Sequence, residues 1–504
     1  MPTASRPNLE NFRRQARALQ RAVRAGDQAA LARAAEHHPD GAPVDPPAFP
    51  LTAAQLVVAR EYGFGSWPRL RRHLDLLADY GWDSAVAATP ATDPATEFCR
   101  LACLTYTGED GPQRWAAARR VLADHPELTQ THIWAAAAAV RPADVARLLA
   151  GDPSLARARG GPFGWRPLCY LGYSRVDEQV PEQDVLAVAR QLLAAGADHD
   201  AGYLINGQPS LFTTLTGVLG NGEGGPVRQP RHPRWRALAR LLLDAGADPN
   251  DGQALYNNMF SPTNDHLELL FEYGLGRPHS GAWPARIGDL VPSPAELLRT
   301  QLRWAVEHDQ RERVRLLTEH GVDVSSPYRG GRPAWAPGDG RTPVELARLC
   351  GHQEIADYLV AHGAPPPEPD PVSDLIAAAF RADRSAVEEI RVRHPDVVAQ
   401  ARRARPGLIV WAAARASAGS VELLAELGFD VNALARADAP IEQGWQTALH
   451  HSAGEGNVEL TRRLLELGAD PHRRDRRFDA TPLDWARHLH QPATAELLEG
   501  LTDQ

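Results

Sequence analysis

The sequence predicts an all-α chain: a solenoid of helix-turn-helix repeats joined by short extended turns, with a helical N-terminal cap. Three observations predict it. First, an apolar helical phrase closed by glycine keeps returning: ARQLLAAGADHD (189–200), ARLLLDAGADPN (239–250), ELLFEYGLG (268–276), RVRLLTEHGVDV (313–324), IADYLVAHGAPP (355–366), VELLAELGFDV (421–431) and LTRRLLELGADPH (460–472). A glycine at that place can take the left-handed conformation that ends a helix, and an Asp-Pro tail then starts a turn. Second, a shorter phrase precedes it, as in GRTPVELARLCGHQEI (340–355), GWQTALHHSAGEGNVEL (444–460), ATPLDWARHLHQ (480–491) and, in degenerate form, GWRPLCYLGYS (164–174). There the threonine can cap a helix whose first turn tolerates proline. Third, the opening residues carry neither phrase, yet Leu9, Phe12, Ala16, Leu19 and Val23 recur at helical spacing among arginines.

In chain order, residues 1–80 are read as the cap. Tyr62, Phe64 and Trp67 surround Gly63 and Gly65 and predict a packed helix-turn-helix corner. Residues 96–364 form a degenerate array, some units surviving only as helix pairs such as THIWAAAAAVRPADVARLLAGDPSL (131–155). Long inserts interrupt it at 222–235, 276–294 and 325–340, and loops of that length in a compact array are usually functional or disordered. PPPEPDP makes 365–372 a stiff linker that divides the array. A second stack follows over 373–504, with a further insert at 435–444 and a C-terminal cap.

The repeated phrases together resemble the ankyrin repeat, whose signature is T-P-L-H-x-A in units of about 33 residues. The resemblance is closest at 340–365 and 444–472 and covers roughly 96–500. His450 stands at the signature histidine, where the family implies a ring that braces neighbouring turns, and the last copy carries Asp484 instead. The phrase AREYGFGSWPRL (59–70) resembles the N-terminal segment of actinobacterial ankyrin proteins.

Composition excludes more than it suggests. All 54 basic residues are arginine, so no lysine can form a Schiff base, a pyridoxal anchor or a Walker-type phosphate loop. A net charge of −9 argues against a dedicated binder of nucleic acid or anionic membrane. Four cysteines make no disulfide framework, and no apolar run is long enough to span a bilayer or serve as a secretion signal. These features predict a cytoplasmic protein.

Chemical motifs are sparse. Gly220, Gly222 and Gly225 match G-x-G-x-x-G, but Pro226, Pro230 and Pro233 follow where a nucleotide fold needs a helix, so they read as a loop. Cys99 and Cys103 lack the partners of a metal site, and Cys169 and Cys350 likewise read as core. No metal or cofactor is expected.

What remains is the concave groove that the resemblance implies, lined by short first helices and turn tips. Mapped onto this chain, its partner-facing positions are Trp165, Tyr170, Tyr173, Ser174, Gln208, Thr213, Asn257 and Phe260, with Thr216 and Asn258 beside them. Tyrosine and tryptophan with amide neighbours suit an interface, while the same rings could fill gaps where the repeat has drifted. The leading expectation is a non-enzymatic, monomeric scaffold that binds a protein, without nucleic acid or membrane. The competing one is an enzyme within 156–325, where Tyr170, Tyr173, Arg175, Tyr256, Asn257, Asp265 and His266 would converge in a closed pocket. In it Asp265 and His266 would form an acid–base pair, although Asp265 also reads as a helix N-cap.

Overall fold

A computed structural model describes residues 9–205, 210–279, 281–287, 292–328, 340–415, 417–437 and 444–502. The chain is mostly helical and divides into two compact units, Met1–Gln301 and Leu302–Gln504.

The first unit opens with the helices Leu9–Arg24, Gln28–His37, Leu51–Glu61 and Trp67–Tyr80. Phe12, Ala16, Leu19 and Val23 turn the apolar stripe of the first helix inward, against Val57, Val58, Leu70 and Leu74. The expected corner is present. Gly63 has φ +81°, Phe64 lies against the His73 ring at 4.9 Å, and the Ser66 hydroxyl caps the next helix by accepting from the Arg69 amide. The chain then forms β1 (Gly81–Trp82), which pairs in parallel with β2 (Gly202–Ile205), itself antiparallel to β3 (Leu211–Thr213). The cap is thereby stitched into the middle of the array by strand pairing, a feature with no hydrophobic period to announce it.

Helix pairs follow, among them Ile133–Ala138 with Pro142–Gly151, Pro167–Tyr173 with Glu182–Ala194, Thr214–Leu219 with Trp235–Asp244, and Gly252–Met259 with Asp265–Glu272. First helices pack on first helices and second on second, from Pro167–Tyr173 against both Ile133–Ala138 and Thr214–Leu219 to Glu182–Ala194 against Trp235–Asp244. This is solenoid stacking, in which each unit contacts its neighbours in the chain. The closing glycines behave as their sequence implied: Gly196, Gly246, Gly274, Gly321, Gly363, Gly428 and Gly468 all have positive φ.

The described residues of the 276–294 insert have a structural role. Their helix Ala282–Ile287 lies on the helix Trp67–Tyr80. Trp283 meets Tyr80 edge-on at 4.9 Å and joins Leu76, Leu77, Leu204 and Leu211, its indole N–H donating to the Asp200 carbonyl at 2.6 Å. The Arg286 guanidinium lies 4.9 Å over the Trp283 ring, and Arg72 donates to the Arg286 carbonyl at 3.0 Å.

In the second unit the pairs Pro343–Leu349 with Gln353–Ala361, Pro371–Phe380 with Arg384–Arg393, Leu408–Ala414 with Ala418–Glu426, Ala448–Gly454 with Val458–Glu466, and Pro482–His488 with Pro492–Thr502 continue the pattern. The proline-rich stretch at 365–372 connects two helix pairs that are in contact. The helices on either side of it, Pro343–Leu349 and Pro371–Phe380, pack directly, and Arg348 pairs with Asp374 across it. An extended segment without regular structure is the ordinary connection between units here, and proline merely stiffens it.

Candidate functional site

The aromatic cluster of the middle repeats is an interior. Trp165 stacks on Tyr203 at 4.3 Å with planes 13° apart, and Tyr203 stacks in turn on Phe212. Trp82, delivered by β1, meets Trp165, Phe163 and Tyr203 edge-on. Tyr170 and Tyr173 are both 0% exposed. The Tyr170 hydroxyl donates to the Gly160 carbonyl at 2.9 Å and accepts from the Phe163 amide at 3.2 Å; that of Tyr173 donates to the Thr213 carbonyl at 2.8 Å. Any side chain at Gly217 would collide with the Tyr173 ring, so glycine lets neighbouring first helices close around it. The Ser174 hydroxyl donates to the Ala138 carbonyl at 2.6 Å, and that of Thr213 to Asp251 at 2.6 Å. Asn257 is buried and accepts from the Gln253 amide at 2.8 Å.

Of the positions expected to face a partner, Trp165, Tyr170, Tyr173, Ser174, Thr213 and Asn257 have their side chains buried. The physical reason is area. Large rings gain most by leaving water, and drifted repeats with small residues leave volume for them to fill. Gln208 lies outside the described residues. Phe260 is half-buried, meeting Tyr256 edge-on at 5.2 Å at the unit's edge.

The residues of the enzyme reading are occupied with structure. The buried Arg175 guanidinium donates to the carbonyls of Pro230, Gly172, Ser174 and Gly217 at 2.6–3.1 Å. Burial brings it down to about 10, still charged at neutral pH. Asn264 occupies the N-cap position of the helix Asp265–Glu272, one residue before the expected Asp265. Asp265 instead takes both arms of Arg231, at 2.6 and 2.9 Å. Partial burial works to raise its carboxyl, but hydrogen bonds from His266 and Arg231 hold it far below the usual range, which unfits it as a base. Gly220, Gly222 and Gly225 all have positive φ, and a side chain at Gly220 would run into the Pro230 backbone. They build a turn that leads into the single-turn helix Gly225–Arg228, with Pro226 in its first turn, so the expected loop contains one helical turn.

All four cysteines are buried and free. Burial pushes the thiols up, Cys103 to about 12 and Cys169 and Cys350 to about 11, so none is a reactive thiolate. Among the described residues no group of three or more His, Cys, Asp and Glu side chains is placed to hold a metal. Shallow surface depressions lie along Arg384–Arg393, along Pro112–Asp124, and between Ala399–Pro406 and Phe429–Ala433.

The second unit presents a different kind of surface. Thr447 caps the helix Ala448–Gly454 through the His450 amide, and the His450 ring returns the bond to Thr447. Its other nitrogen reaches the Ala480 carbonyl of the following repeat at 3.0 Å, the bracing that the signature histidine implied. Burial lowers the ring's pKa, which favours the neutral form. Asp475, buried, binds the turn that follows: Oδ1 accepts from the Arg477 and Phe478 amides, and Oδ2 from the Ala480 amide and the Trp485 indole. That fixed turn holds Phe478 62% exposed, with Arg473, Arg474, Arg476 and Arg477 exposed around it. Trp445, from the preceding turn, lies under a pair of guanidiniums, Arg436 at 4.6 Å and Arg477 at 4.5 Å. Sequence reasoning passed over this cluster. The signal was there, in RRDRRF (473–478), two arginine doublets in a chain of net charge −9.

Stacked helix pairs with glycine-closed second helices and capped first helices define a helical repeat solenoid. The ankyrin repeat family model matches residues 339–371 and 445–476, so the chain carries ankyrin repeats at those two places. No curated protein matches the chain.

Proposed function

We propose that the chain is a non-enzymatic ankyrin-repeat scaffold that binds a protein partner through the turns and first helices of its array. The carrying observation is the turn at the end of the matched repeat 445–476, which Asp475 fixes through four hydrogen bonds while Phe478 stands in solvent. A rigid turn that exposes a large ring is organised for contact, because the ordering cost is met in the free protein. Ankyrin repeats are protein-binding modules in general, which supports a protein as the occupant.

The same reading places the protein in the cytoplasm as a monomer. Four buried free thiols suit a reducing compartment, and among the described residues no helix is long and apolar enough to cross a membrane. The AREYGFGSWPRL phrase (59–70) supports an actinobacterial type.

The test is affinity capture from soluble extract, followed by amide hydrogen exchange of the full chain with the captured protein. The scaffold reading expects a specific protein whose binding slows exchange at turn tips and first helices. It is overturned if no protein is captured while a metabolite panel raises the melting temperature and protects segments within 156–325.

A further inference from the structure

We infer that the turns 433–437, 444–446 and 473–478 form a docking site for a short acidic segment carrying an aromatic or aliphatic residue, a class of partner that deepens the scaffold reading and rests on it. The turns form one surface. Ala435 and Gln446 bridge antiparallel at 2.9 and 3.2 Å, and the Arg476 amide donates to the Trp445 carbonyl at 2.8 Å. Arg477 lies over both Trp445, at 4.5 Å, and Phe478, at 5.0 Å. A guanidinium stacked on a ring is held by its face and keeps its N–H edge for a carboxylate, which it can grip with two parallel bonds.

Among the described residues of the turn 473–478 the exposed charge is one-sided. Asp475 sits among the arginines in the sequence, but its carboxylate is buried and spent on three backbone amides and an indole. The exposed acids of the turn are Asp470 and Asp479. Asp479 stands 3.6 Å from Arg474, with its side chain 85% exposed, where pairing is worth little. Arg473, Arg476 and Arg477 have no carboxylate within ion-pair distance among the described residues. Arginine and exposed phenylalanine at the centre of one patch is the composition of an interface hot spot. A short acidic peptide fits better than a long polyanion, which would run off the patch onto a chain of net charge −9.

The test titrates the full chain into a fluorescein-labelled, glutamate-rich peptide carrying one phenylalanine, read by anisotropy. Binding is expected, weakening with added salt. It should fall at least about tenfold in Arg476→Ala/Arg477→Ala, the scale of losing one charge-assisted contact. Arg476→Lys/Arg477→Lys, which keeps the charge without the planar fork, should fall between wild type and the alanine variant, and unchanged circular dichroism shows that the variants fold. Asp438→Asn/Glu442→Gln removes the two carboxylates of the chain between 437 and 444 and should tighten binding or leave it unchanged; loss of binding there overturns the proposal. So does peptide affinity indifferent to the arginines, or tighter arginine-dependent binding of a single-stranded oligonucleotide or of phosphatidylserine vesicles. A captured protein that Arg476→Ala/Arg477→Ala still binds overturns the acidic site and leaves the scaffold reading standing. Arginine-dependent peptide binding supports the site even where capture fails, and the scaffold reading is removed only when that failure comes with metabolite protection within 156–325.

Discussion

Thr213 with Thr216 and Thr447 with His450 close the same reciprocal cap at the start of a first helix, yet the two repeats reach their neighbours in opposite directions. In the C-terminal repeat the histidine extends forward to the Ala480 carbonyl. In the middle repeat the link comes back from the next unit. Asp251, N-cap of Gly252–Met259, accepts from the Thr213 hydroxyl at 2.6 Å, the Thr216 hydroxyl at 2.8 Å and the Ala254 amide at 2.9 Å. Stacking demands a polar tie between successive caps, because each cap is buried and its donors must be satisfied. Which residue supplies the tie is open. A search for the signature phrase therefore finds 445–476 and passes over the middle of the array.

The largest effect expected from breaking this comparison is at Asp251. Asp251→Ala leaves two buried hydroxyls and a helix-start amide without their acceptor, a loss of about 3 kcal/mol. Amide exchange in Thr214–Leu219 and Gly252–Met259 should accelerate by the corresponding two orders of magnitude, with exchange in Ala448–Gly454 unchanged. Equal acceleration in both places would mean that the tie is not local to its pair of repeats.

His450→Gln is the milder counterpart. Glutamine can still close the cap but gives up the ring that reaches Ala480, at about 1 kcal/mol near neutral pH. Burial favours the neutral ring, so the folded pKa lies below the ordinary value of about 6.5. The unfolded chain then takes up the proton first as pH falls. The contribution is complete above about 6.5 and is lost between there and the depressed folded value. Wild type minus variant, measured as exchange protection of Ala448–Gly454 across that window, should shrink on acidification. His232 and His352 also titrate low through burial, but they are common to both proteins and cancel. A difference independent of pH would sink the assignment.

The contrast also marks what was legible in the sequence. Closing glycines and threonine caps are local, so one stretch of chain contains both the residue and the backbone state it serves. Trp165, Tyr170 and Tyr173 were identifiable as a cluster, with gap-filling as one reading of it, but what covers them was not, because it comes from Trp82, Tyr203 and Phe212 through strands of two to four residues. Strands that short carry no period. The inserts were visible as proline- and glycine-rich lengths, yet only Trp283 lodged beside Tyr80 and Leu204 shows one of them to be a strap. Asp475 was hidden in plain view, since an aspartate between arginine doublets looks like surface charge until its four donors are seen.

The smallest effect expected is at Phe478, and it decides how the C-terminal turn is understood. Its ring is mostly in solvent, with the Trp485 ring 6.1 Å away and the Arg477 guanidinium over it. The turn itself is held by Asp475 through backbone amides that a substitution at 478 leaves in place. Phe478→Ser should therefore shift stability by no more than about 0.5 kcal/mol, read as unchanged exchange protection of Pro482–His488, while Asp475→Ala loosens the same helix. A loss above about 1 kcal/mol would show the ring to be packing against Trp485, as Trp165 packs in the middle repeats. The turn would then be one more covered interior. An unchanged protein would leave an ordered aromatic that the fold does not need, set among exposed arginines, which is what a surface shaped for another molecule looks like.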